Sequence, residues 1–383
     1  MGVLTAICHF CAGCLLTVVG NWLGLIPWRR SRDAHWTERA RLLWPARVTA
    51  VTSVFLIPTV LMQLHRACWP ESAGGWAING LAACLGVLLG SFPFDREIFP
   101  GLVFAAWLRE TVAGWTLRLG VWIALIAGMI LMPAEWGWKT ILVSGGFLLL
   151  QSSLSFGLTT AFLRWMGMVK APDERLCRIT AAASERAGRS PRSVWMMTGV
   201  AAQAYAFPFT GELIFSERLL RVCTDEEVAT ICAHELAHLG EPGTVLAGRF
   251  AGSLMFFPLL FLNPCFHSWG MGFLLLPLFS LLLARFSKWL SLRMERRADQ
   301  AGTGSQVDEG VYARALEKLY RENQVPAVNI NNSQTHPHLY DRMLAAGITP
   351  EYPRPARPAK TTWFRLCQLV AFAMFLIREI ARS

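Results

Sequence analysis

Thr224-Asp-Glu-Glu-Val-Ala-Thr-Ile-Cys-Ala-His234-Glu-Leu-Ala-His238 reads as one helix with reactive groups at its far end. Thr224 and Glu227 form a capping-box pattern, which starts a helix near Asp225. Gly240, Pro242 and Gly243 then stop it. Residues four apart share one face of a helix, so the His234 and His238 imidazoles can grip a single metal ion. Glu235 projects beside them, where a carboxylate can act as base toward water on that metal. A purely structural metal site needs ligands but no such base, so a zinc-stabilised scaffold or regulator is the weaker alternative.

Catalytic zinc takes three protein ligands and leaves a fourth position open. Two apolar runs follow the helix, 245–263 and 269–290, and read as a two-span hairpin around a loop at 264–268. A hairpin returns the chain to its starting side. Glu295, in Glu295-Arg-Arg-Ala-Asp299, therefore emerges on the face that holds the histidines and is the expected third ligand. Asp299, one turn on, is placed to accept the second ring N–H of a ligand histidine and fix its tautomer. The expected cofactor is one Zn2+ per chain.

Only 16% of the 383 residues are charged and 54% are hydrophobic, against roughly 25% charged in a soluble domain. Five further apolar runs precede the metal helix: 3–28, 44–64, 76–94, 112–133 and 139–163. Each is near the roughly 20 residues a spanning helix needs, which makes about seven spans in all. The net charge of +10 comes from Lys and Arg beside these runs, including five arginines in 29–41. Such residues orient spans with their basic loops inside, so nucleic acid is excluded as a partner and the metal helix faces the cytosol. Loops 134–138 and 264–268 carry no Lys or Arg and fall outside. Cys8, Cys11 and Cys14 have an iron–sulfur-like spacing but lie in an apolar helix with no fourth ligand, and read as packing residues. Gln151, Ser155 and Thr159 make a polar stripe on the fifth span, which either lines a chamber or bonds to neighbouring helices.

The predicted fold is mainly α, a multi-pass helical membrane protein with a split zinc-peptidase domain containing a small β-sheet. Its parts are an N-terminal membrane region (1–169), a first catalytic part (170–243), the hairpin (244–293), a second catalytic part (294–349), a proline-rich linker (350–361) and a C-terminal apolar run (362–383) short enough to lie in the interface. Within the catalytic parts, Asp173 caps a helix that Gly188 stops. Strands are expected at Ser193–Met197 and Glu212–Ser216, and helices at 308–322 and 337–346.

With these motifs in hand, the chain resembles the membrane gluzincins that include HtpX-type proteases and CAAX prenyl proteases. The resemblance rests on His234–His238, Glu295–Asp299, the lead-in helix, Gln203-Ala-Tyr-Ala-Phe with Glu212–Leu220, and Thr335-His-Pro-His-Leu-Tyr-Asp-Arg342. It covers about 170–343. It implies hydrolysis of peptide bonds in membrane-associated or misfolded proteins, with processing of prenylated protein C-termini as the alternative. Catalytic roles are implied for Glu235 and His336, the latter stabilising the oxyanion, with the bland reading that His336 caps the next helix. Gln203 would begin an edge strand that pairs with substrate backbone, where the family usually has Asn. Arg342 is implied as a substrate-binding or structural residue. The implied partners are a protein or peptide substrate and the lipid bilayer, and the implied location is a bacterial inner membrane with a cytoplasmic-facing site.

Overall fold

The computed structural model describes residues 2–68, 75–329, 337–361 and 370. Six helical stretches among them are long and apolar enough to cross a bilayer, and the chain is a multi-pass membrane protein. The described residues divide into two compact units, one of 2–107 with 324–329 and 354–361, the other of 108–323 with 337–353.

The first unit is built on α1 (Gly2–Gly24), the short α2 (Ile26–Arg29), α3 (Trp36–Cys68) and α4 (Trp76–Ile98). Small residues let α1 and α4 meet backbone to backbone. A Cβ on Gly86 would collide with the Phe10 carbonyl oxygen, and one on Gly13 would lie 2.6 Å from that of Ala83. His9 and His65 are buried and packed edge to face, with ring centroids 5.0 Å apart. Cys8 and Cys11 are exposed free thiols on α1.

Most of α5 (Phe104–Leu131), which extends well before the predicted start, belongs to the second unit. The fifth span is α6 (Trp138–Ser153) and α7 (Thr159–Trp165), joined by a π-helical turn in which Phe156 and Gly157 leave helical geometry. The polar stripe bonds within its own span and to a neighbouring element: Gln151 Nε2 donates to the Ser253 carbonyl at 3.3 Å, Ser155 to Gln151 O and Thr159 to Leu154 O.

A four-stranded mixed sheet follows, from β1 (Val169–Lys170), β2 (Ser193–Met197), β3 (Ala204–Phe207) and β4 (Glu212–Ser216), in the order β1-β2-β4-β3. β2 and β4 run parallel, and the outer pairs are antiparallel. Both faces of the sheet are covered, which is why β4 is apolar at consecutive positions. Leu213 and Phe215 pack with α8 (Glu174–Ala187), while Ile214 packs with Ala113 and Leu163 of the membrane helices. The sheet therefore sits directly on α5 and α7. As predicted, Asp173 caps α8, accepting from the Leu176 N–H at 2.8 Å, and left-handed Gly188 (φ 60°) ends it.

After α9 (Glu217–Val222) and the metal helix α10 (Asp225–Leu239) comes the predicted hairpin, and here the structure differs. The expected span 245–263 is broken into α11 (Gly243–Ser253), a 3-10 turn at Phe257–Phe261 and α12 (Leu262–Trp269). Pro258 enters the 3-10 turn at its start and cannot continue a helix ladder. The expected loop at 264–268 is helical, and the chain reverses at Gly270 (φ 54°). Six spanning stretches rather than seven result among the described residues. The return still occurs, because α13 (Leu275–Gly304) packs back on α11 with Leu290 against Gly248 and Ser287 against Gly252. The two turns expected outside also meet, with Trp136 Nε1 donating to Ser268 Oγ at 2.9 Å. α14 (Val311–Glu322) and α15 (Leu339–Ala345) complete the unit. The C-terminal run 362–383 lies outside the described residues, Val370 excepted.

Candidate metal centre

The local sequence builds α10 as expected. Thr224 Oγ1 accepts the Glu227 N–H at 3.3 Å and Glu227 Oε2 accepts the Thr224 N–H at 2.8 Å. Lys318 Nζ pairs with the same buried Glu227 carboxylate at 2.7 Å and ties α14 to the start of α10. Val228, Ile231, Cys232 and Leu236 anchor the helix in the sheet-side core, and His234, Glu235 and His238 are buried with it. Burial pushes the Cys232 thiol up to about 12, so it stays neutral.

α13 brings Glu295 to the two histidines. Its Oε2 is 3.6 Å from His234 Nε2 and its Oε1 is 3.5 Å from His238 Nε2. All three residues are buried, and their donor atoms lie within 4.8 Å of one another. Ligands bonded to zinc at about 2.0–2.2 Å in a tetrahedron lie about 3.4 Å apart, so the spacing is that of a metal site.

The far side of each ring points the same way. His234 Nδ1 is 2.8 Å from the Tyr312 hydroxyl and 3.2 Å from Asp299 Oδ1. The Tyr312 hydroxyl donates to Asp299 Oδ1 at 2.7 Å and accepts from Arg342 Nη2 at 3.1 Å, while Arg342 also clamps both Asp299 oxygens. With its proton given to Asp299, the tyrosine oxygen can only accept from His234, so Nδ1 carries a proton and Nε2, which faces Glu295, is the nitrogen that would bind a metal on losing its own. His238 repeats the device. Its Nδ1 is 2.9 Å from Glu241 Oε1, and Glu241 is paired with Arg249 of α11. Burial opposes charge on His234, but Asp299 and Glu295 outweigh it and raise its pKa to about 9. A site that holds a proton this firmly also favours a divalent cation. The donors and their spacing fit one metal ion.

Residues 170–347 match Peptidase family M48. The chain carries an M48 peptidase domain. No curated protein matches the chain. The M48 domain and its buried donor triad make the protein a metalloenzyme.

Of the residues singled out in the sequence, His234, His238, Glu295, Asp299 and Arg342 converge in the M48 domain, with Glu235 on the same helix as the histidines. Arg342 pairs with Asp299. Gln203 immediately precedes β3, bonded to Ser216 through its backbone N–H and C=O. His336 lies outside the described residues, and the N-cap position of α15 is His338. Sequence reading missed Tyr312, Glu241 and Arg249. Glu241 carried a signal, standing three residues after His238 on a helix end, while Tyr312 carried none.

Proposed function

We propose that the protein is a zinc-dependent endopeptidase of membrane-associated proteins, built from 170–243 and 294–349 and facing the cytosol of a bacterial inner membrane. The observation that carries this reading is the buried His234–His238–Glu295 triad with its donor atoms within 4.8 Å of one another, both Nδ1 atoms committed to carboxylate-backed partners and Glu235 between the histidines in sequence. Zinc, when bound, supplies a Lewis acid for the scissile carbonyl and lowers the pKa of water.

The protein's own groups do the rest. Glu235 accepts a proton from water as its oxygen bonds to the carbonyl carbon, then delivers that proton to the amine nitrogen as the C–N bond breaks. Tyr312, Asp299 and Glu241 hold the histidine rings in one tautomer. β3 is the outer strand of the sheet, and its pairs with β4 alternate in bonding. Gln203 bonds to Ser216 of β4, so Ala204 and Ala206 turn their N–H and C=O groups to the open edge, where an extended substrate can add as a strand. The lightly charged loops at the Trp136–Ser268 end support placing the metal site on the opposite, inner side.

Purified protein incubated with a misfolded membrane protein and, separately, with a prenylated C-terminal peptide tests the substrate class. Cleavage of the first supports the proposal. Cleavage of the prenylated peptide alone transfers the activity to prenyl-protein processing.

A further inference from the structure

The fifth span does not cross as a regular helix. Its sixteen-residue first half carries the chain about 24 Å from Trp138, most of the way through a roughly 30 Å hydrocarbon core. The backbone then breaks, with Phe156 at φ −99°, ψ 27° and Gly157 at φ 119°. The turn joining β3 to β4 meets this break. A Cβ on Gly157 would lie 3.5 Å from Thr210 Cγ2, and the Phe156 and Phe209 rings pack edge to face at 5.1 Å. Phe250 of α11 completes a trio, 6.1 Å from Phe156 and 6.4 Å from Phe209. Phe156 is 59% exposed, with exposed Leu158 beside it.

This apolar surface is continuous with the proposed cleft on two sides. β3, whose outer edge is open, leads straight into the Phe207–Thr210 turn. Phe250 follows Arg249, whose guanidinium reaches Glu241 and through it His238. A chain lying along Ala204 and Ala206 therefore leaves the sheet at the aromatic trio, beside a span and at the depth of the inner leaflet. Breaks of this π-helical kind in spans occur where neighbouring protein or a functional site takes up the freed backbone groups.

We propose that the break at 154–158, Phe209 and Phe250 form a docking surface for the apolar, membrane-embedded segment of a polypeptide substrate, which positions a scissile bond just outside that segment on β3. The proposal rests on the endopeptidase reading. It selects substrates by their anchorage in the inner leaflet rather than by residues flanking the cut alone.

The test uses the full-length protein in nanodiscs and one cleavable sequence in three forms: a soluble peptide, the same peptide fused to a membrane-spanning helix, and the same peptide carrying an acyl chain. The expected result is a kcat/KM for the helix-fused form at least tenfold above that for the soluble form, with Phe156→Ser and Phe209→Ser each lowering that ratio at least fivefold and Phe156→Leu largely preserving it. In Glu235→Gln protein, a photo-crosslinking residue at 156 should trap the fused helix, which reads the contact without turnover. A ratio unchanged in both serine variants, or no crosslink, overturns the proposal alone. Equal stimulation by the acyl chain, equally sensitive to Phe156→Ser, overturns it in favour of a lipid-chain site. Failure of wild-type protein to cut any of the three overturns the endopeptidase reading, and the proposal with it.

Discussion

Glu241 and Asp299 both back a ligand histidine, Glu241 directly and Asp299 together with Tyr312, yet their removal should cost different things. Asp299 neutralises Arg342, whose side chain is 6% exposed. Asp299→Ala strands that cation in the interior, and breaking a buried pair costs about 3–5 kcal/mol of stability. Glu241 neutralises Arg249, whose side chain is 27% exposed and can turn to water. Glu241→Ala should therefore leave the fold within about 1 kcal/mol of wild type. Its effect falls on the metal, because His238 loses the partner that fixes its ring, and such losses typically lower metal affinity by about 10–100-fold. Glu241→Gln keeps an oxygen acceptor for His238 and should sit at the low end of that range. Competition with a chromogenic zinc chelator gives the affinities, and thermal melts of the chelator-treated proteins in detergent give the stabilities. A Glu241→Ala protein with wild-type zinc affinity, or one as unstable as Asp299→Ala, refutes the division of labour.

Other outcomes follow from the same geometry. Glu295→Ala should lose bound zinc as well as activity, and metal analysis showing full zinc retention would place the third ligand elsewhere. Because the carboxylates hold the His234 pKa at about 9, zinc must displace a proton at pH 7, and affinity should rise with pH until about 9 and then level. Calorimetry in two buffers of different ionisation enthalpy checks this, and zero proton release at pH 7 contradicts it. By the same sign, the charged His234 stabilises chelator-treated protein below its ordinary value of 6.5, and that contribution fades as pH rises through about 9. Cysteines at 305 and 268 should label from opposite sides of the membrane, 305 from the cytosol, and the reverse pattern would invert the topology.

The parts legible in the sequence were those written locally. Thr224 and Glu227 mark the start of α10 because a capping box is a contact between near neighbours. β2 and β4 fall at their predicted residues because Pro191 and Gly211 bound them and their apolar runs are buried on both faces. Glu295 was legible one step further out, since a returning hairpin needs only the hydropathy of two runs. The break after Ser253 was not, because Leu254–Phe261 is as apolar as a span and hydropathy is blind to what Pro258 does to the backbone. The kink at Gly157 was hidden for the same reason. Tyr312 and Arg249 stayed invisible because their partners are set by how α14 and α11 pack, which no local pattern records.

The central claim is that Glu235 is a base beside a metal it does not bind. Purified wild-type and Glu235→Gln proteins, compared for zinc content and for cleavage of a membrane-protein substrate, test it directly. Both should hold one zinc per chain, with turnover present in the wild type and lost in the variant. Cleavage at the wild-type rate by Glu235→Gln, or activity in protein stripped of zinc, would contradict it.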